Sequence, residues 1–145
     1  MHHHLILRVI AKLLLPFILL FGLYVQWHGD YGPGGGFQAG VIFAVGFILY
    51  ALVFGTEALT RIVSQKALIA GMSFGLLLYA GTGVASMLLG LGYLDYSKFG
   101  SDPVHGQEWG ILIVELGVGI AVACAMTAIF IAFAHREADH NDKDW

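Results

Sequence analysis

Charge is what this sequence has least of. Asp, Glu, Lys and Arg make up 12% of the 145 residues, where soluble chains carry about a quarter. A chain of this length is expected to form one compact domain. A soluble domain of that size leaves too much of its area in water to hide a composition that is 58% hydrophobic. Lipid is the solvent that fits. Basic residues are nowhere gathered into a patch, which argues against nucleic acid as a partner. Cysteine occurs once, as Cys124 inside an apolar run, so no intramolecular disulfide can form and the residue reads as a small core side chain. Zinc motifs, Ser-His-Asp and Cys-His constellations and the Gly-Lys-Ser/Thr of a phosphate loop are also missing. No catalytic residue, cofactor or resident metal is expected. His2, His3 and His4 stand adjacent, not spaced as ligands, and read as a flexible tail or the remnant of an added tag; His105 and His135 are lone.

Long apolar runs are what the sequence has instead. Four are long enough for the ~20 helical residues that cross a hydrocarbon core: about 9–27, 37–54, 67–91 and 109–134. Backbone facing lipid must satisfy its own hydrogen bonds, so these runs are expected to be helices and the fold class all-α and polytopic. The whole chain, 1–145, reads as one transmembrane domain with a short charged tail at 135–145. Gln26-Trp27-His28-Gly29 after the first run is no small-residue cleavage site, so that run reads as a retained helix. Pro16 within it removes one backbone donor and is a candidate kink.

Lysine and arginine give an orientation. Arg8, Lys12, Arg61, Lys66, Arg136 and Lys143 fall on one side of the predicted membrane and Lys98 alone on the other, which predicts both termini in the cytoplasm. Trp27 and Trp109 then lie at the outer interface. Glu57 and Arg61 form an i, i+4 pair of small energetic weight on the cytoplasmic side.

Glycine is abundant, and much of it is spaced: Gly36/Gly40, Gly71/Gly75 and Gly106/Gly110, with Gly81, Gly83, Gly117 and Gly119 besides. Small residues let helix backbones approach closely in lipid. The pattern serves either packing within this chain or docking of other polypeptides. The most unusual stretch is the first outer loop and the start of the second run, where Pro33, Gly34, Gly35 and Gly36 precede Phe37 and Gln38. Such backbone cannot be helical throughout and leaves bare amides and carbonyls that line a path or admit a neighbour.

The run Tyr31-Gly-Pro-Gly-Gly-Gly-Phe-Gln-Ala-Gly40, following a helix that reads Leu13-Leu-Leu-Pro-Phe-Ile-Leu-Leu-Phe21, resembles the B subunit of the multi-subunit Mrp/Mnh sodium–proton antiporters. Gly110-Ile-Leu-Ile-Val-Glu-Leu-Gly-Val-Gly119 is similar to that family's last helix, so the resemblance covers nearly the whole chain. It implies a small, multi-pass subunit of the cell (inner) membrane. The subunit would be needed for assembly and for Na+/H+ exchange, without transporting alone. The implied partners are the other antiporter subunits, including two large ones that resemble proton-pumping subunits of complex I and carry most of the ionisable relay. A homologous small subunit of a membrane-bound redox complex, such as an energy-converting hydrogenase, is the alternative. An autonomous transporter or channel fits poorly, because a relay needs several ionisable groups in the membrane and this chain has few.

Glu115 is the one ionisable residue clearly inside a span, about two turns into the predicted fourth helix. Its carboxylate either takes part in moving cations or protons or makes a structural hydrogen bond. Glu108, seven residues earlier, lies on roughly the same face and would complete a two-carboxylate outer vestibule. Lys98, between Asp95 and Asp102, and Asp30, beside the glycine turn with His28, are the further candidates for an outer cation or proton path. For Lys98 the simpler reading is an exposed ion pair, and for Asp30 a solvated loop.

Overall fold

The computed structural model describes residues 2–29 and 34–139. Among them are five helices and no strand: α1 (His2–Trp27), α2 (Gly36–Phe54), α3 (Thr56–Ile62), α4 (Gln65–Leu88) and α5 (Pro103–Asp139). Four are long and apolar enough to cross a membrane: Leu5–Trp27, Gly36–Phe54, Gln65–Leu88 and Pro103–Ala134. The all-α, four-span architecture expected from the apolar runs is therefore present.

The boundaries differ where local chemistry overrides hydropathy. Helix α1 starts at His2, so the histidines read as a flexible tail have helical backbone. The third span stops at Leu88 instead of 91, and Gly90 N–H and Leu91 N–H bond back to Met87 and Ser86 carbonyls. The fourth begins at Pro103, six residues before Trp109, because proline suits a first helical turn where no N–H partner is needed. At its other end α5 continues to Asp139, into the segment read as a tail.

Helix α3 has no counterpart in the apolar runs. Gly55 stands at φ +97°, a conformation that L side chains rarely adopt, and lets the chain break after Phe54 and restart at Thr56. Glu57 lies in the first turn of the new helix and Arg61 in its last, which suits the helix dipole at both ends. Leu59 is fully buried and joins Ala51, Leu68 and Ile131 in a small core that ties α3 to α2, α4 and α5. Ser64 then caps α4, its hydroxyl oxygen accepting from Ala67 N–H at 3.2 Å.

The long helices form a layer in the order α1, α2, α5, α4, each packed chiefly on its neighbours; α1 meets α2 closely and α5 hardly at all. Glycine decides these contacts. A β carbon on Gly40 would lie 2.6 Å from the Gly119 carbonyl oxygen, and one on Gly75 would meet the Gly117 carbonyl and Ala121. Gly83 and Gly110 receive the rings of Tyr93 and Tyr96. Of the two uses open for the glycines, most serve packing within the chain; Gly81, with nothing within 4 Å of a β carbon, does not.

Candidate functional site

Position on the layer follows from which glycines meet α5. Gly36 packs its backbone on the Glu115 carbonyl and Gly40 on Gly119, so α2 begins at the level of Glu115. Helix α5 starts twelve residues earlier, at Pro103, and therefore runs on for about 18 Å past the start of α2. Glu115 is thus more than three turns from the helix start, deeper than the two turns inferred from sequence, because the helix is longer than its apolar core. The end of α1 and the start of α2 are recessed behind the paired ends of α4 and α5. Irregular backbone at such depth is tolerated where protein covers it or where it lines a cavity.

The partly buried Glu115 carboxylate sits between two glycines. A β carbon on Gly35 would lie 3.0 Å from Oε1, and one on Gly29 3.0 Å from Oε2. Gly35 has φ +120°, so its conformation as well as its space excludes ordinary side chains. Gly35 N–H donates to the Val25 carbonyl at 3.4 Å, tying the turn to the end of α1. Gln38 Oε1 is 3.7 Å from the same β-carbon position, which brings it to the carboxylate's side of the turn. Just past the end of α1, the His28 ring stacks on Tyr24 at 4.4 Å.

Of the residues singled out from sequence, Glu115, Gly35, Gly36 and Gln38 come together here, and Gly34 packs on Val25 one step away. Phe37 points out of the layer, 59% exposed. Asp30 and Pro33 lie outside the described residues. Glu108 is exposed, two turns from Glu115 along α5, or about 10 Å. Lys98 turns to the end of α4. Its Nζ donates to the Leu89 carbonyl at 2.8 Å and so closes the C-terminal end of α4. Asp95 is held below the usual carboxylate range chiefly by Ser97, whose backbone N–H donates at 3.1 Å; Gln107 adds a bond at 3.2 Å, and Lys98 contributes least. Asp102 lies 3.8 Å from His105.

Sequence reasoning missed Gln26. It is 6% exposed, and its Oε1 lies 2.9 Å from where a β carbon on Gly119 would stand, one helical turn from Glu115. Its Nε2 is buried without a hydrogen-bond partner among the described residues, a deficit of about 1–3 kcal/mol. A lone amide near the end of an otherwise apolar span was the available signal. The amide stands in the wall of a cavity of about 320 Å³ bounded by α1, α2 and α5. No cluster of three or more metal-ligating side chains occurs among the described residues.

Known proteins share this chain's pattern over most of its length. A family model described as a domain related to the MnhB subunit of Na+/H+ antiporter matches residues 6–128. A Staphylococcus aureus (strain Newman) protein that carries the name antiporter subunit mnhB2 is 33% identical over 132 residues, covering 84% of this chain and 93% of that one. A Rhizobium meliloti (strain 1021) protein that carries the name of a K(+)/H(+) antiporter subunit is 34% identical over 131 residues, covering 88% of this chain. The present chain spans 13% of that longer relative. With the four spans and the match running along the same residues, the chain belongs to the MnhB family of Na+/H+ antiporter subunits.

Proposed function

We propose that this chain is a small membrane subunit of a multi-subunit monovalent cation/proton antiporter, required for assembly and exchange and not a transporter by itself. The match over residues 6–128 to the MnhB domain carries the reading. The open layer supports it: large apolar side chains such as Leu13, Phe17, Leu52, Leu77 and Phe133 are left exposed for lipid and for other subunits. The relatives described are antiporter subunits by name, which favours exchange over the redox alternative. Sodium is the cation in the family's description. The bilayer is that of the cell, with both chain ends on the cytoplasmic side, and the partners include the two large complex I-like subunits. Within this assembly Glu115 and the Gly34–Gln38 turn face the cation or proton path, with Asp30, Glu108 and Lys98 toward its outer mouth. A relay of several intramembrane groups is not available in this chain, so the long-range proton path belongs to other subunits.

Purification of the chain from its native membrane in mild detergent tests the reading. Recovery with two large and several small membrane subunits, and Na+-dependent proton movement in vesicles containing them, is expected. Recovery with iron–sulfur or nickel proteins would sink it in favour of a redox complex. Glu115→Gln separates the site's two uses: exchange should fall more than complex yield, whereas equal losses would make the carboxylate structural.

A further inference from the structure

The groove beside Gln26 is unlike the rest of the apolar surface, because a buried donor without a partner among the described residues stands in it. Its floor is made of Ala39 and Gly40 from α2 and Gly119 and Ala123 from α5, small residues that let another backbone come close. Its rims are bulky and outward: Leu23 is 45% exposed and Leu116 41%. Helices α1 and α5 flank α2 with little contact between them, so the groove runs along the layer where a further helix would lie. A space of about 320 Å³ with an almost wholly apolar lining does not hold ordered water. Apolar matter therefore fills it in the membrane. An acyl chain would fill the space but brings no hydrogen-bond acceptor to Nε2.

We infer that this groove seats a transmembrane helix of another subunit, and that the Gln26 amide, whose Nε2 is closed off in the chain alone, turns about its side-chain bonds to donate to an oxygen acceptor that the helix presents. The inference rests on the reading of the chain as one subunit of several. The partner's contact face is apolar apart from that acceptor, which meets Gln26 at the level of Gly119, sixteen residues into α5. The contact lies one turn along α5 from Glu115, so the same helix would close the side of the candidate site. Gln26 acts here as a positioning residue for the assembly.

Two measurements on the complex in its native membrane test this. Benzoyl-phenylalanine placed at Leu23 should, on irradiation, form an adduct with a membrane-spanning peptide of a different chain. Adducts confined to lipid, or to a second copy of this chain, would overturn the inference. Gln26→Leu keeps the apolar packing and removes the donor. It should lower recovery of that partner about three- to twentyfold, the range of measured interhelical hydrogen bonds. The variant's own melting in detergent should be unchanged or raised, because an unpaired amide has been removed. Wild-type recovery of the partner would overturn the hydrogen bond. Equal loss of partner and of the chain's own stability would show that the amide serves this chain's fold instead. If the cross-linked helix belongs to a protein that is no antiporter subunit, the groove inference stands and the proposed function fails.

Discussion

Alanine at Gly40 is the sharpest perturbation of the layer. The added β carbon would lie 2.6 Å from the Gly119 carbonyl oxygen and 2.9 Å from Val122 Cβ, with 3.4 Å marking ordinary contact. Neither neighbour can rotate away, since one is backbone and the other branches at the clash itself. Helices α2 and α5 would have to separate by roughly 0.8 Å at this crossing, the difference between the ordinary contact and the distance to Gly119. Overpacking of that kind costs about 1–3 kcal/mol, a factor of about 5 to 150 in the folded population. Gly81→Ala is the matched control in a neighbouring helix: nothing lies within 4 Å of its β carbon, and alanine in a helix is favoured by about 0.5–1 kcal/mol over glycine. Thermal melting of the purified chain in detergent, followed by size-exclusion fluorescence, should show a lowered midpoint for Gly40→Ala and an unchanged or raised one for Gly81→Ala. Equal midpoints would refute the packing argument. A complex that assembles with Gly40→Ala but not with Gly81→Ala would move the decisive contact to the open face of α4.

Gly35→Val should impair assembly or exchange, since φ +120° and the Glu115 carboxylate at 3.0 Å both oppose a branched side chain; a backbone held this way costs about 1–3 kcal/mol. Normal complex yield and exchange in that variant would remove the argument for the turn. Ser86→Ala should destabilise the chain by about 1–3 kcal/mol, because the buried hydroxyl donates to the Gly83 carbonyl at 2.8 Å and accepts from Leu94 N–H at 3.0 Å. An unchanged melt would show that this tie contributes nothing. Asp95 makes the 89–102 segment pH-sensitive. Its carboxyl is held below 3.8 by its bonds to Ser97, so its contribution is complete above that value and lost as pH falls below it. Amide exchange in the segment should rise on that descent in the native chain, and Asp95→Asn should remove the dependence.

Hydropathy, read residue by residue, was enough for the class of this protein. Four runs of apolar residues leave a chain in lipid no spanning structure but a helix or a closed barrel, and at ~20 residues each they have helix length. The Pro-Gly-Gly-Gly-Phe-Gln turn marked irregular backbone by composition alone, and Glu115 stood out because carboxylates are costly inside a span. Tertiary structure decided what those residues meet. Helix α3 is seven residues long and held by Leu59 in a shared core, a contact between distant segments that no local periodicity reports. Lys98 looked like a partner for its flanking aspartates, yet the fold brings the Leu89 carbonyl to it. The level at which α2 begins, the seating of Glu115 between Gly29 and Gly35, and the burial of the Gln26 amide all depend on how α1, α2 and α5 are registered against one another. Local sequence determines which segments span, because the transfer of each segment to lipid depends on its own composition. Register depends on which backbones can touch, and that is a property of pairs of glycines far apart in the chain.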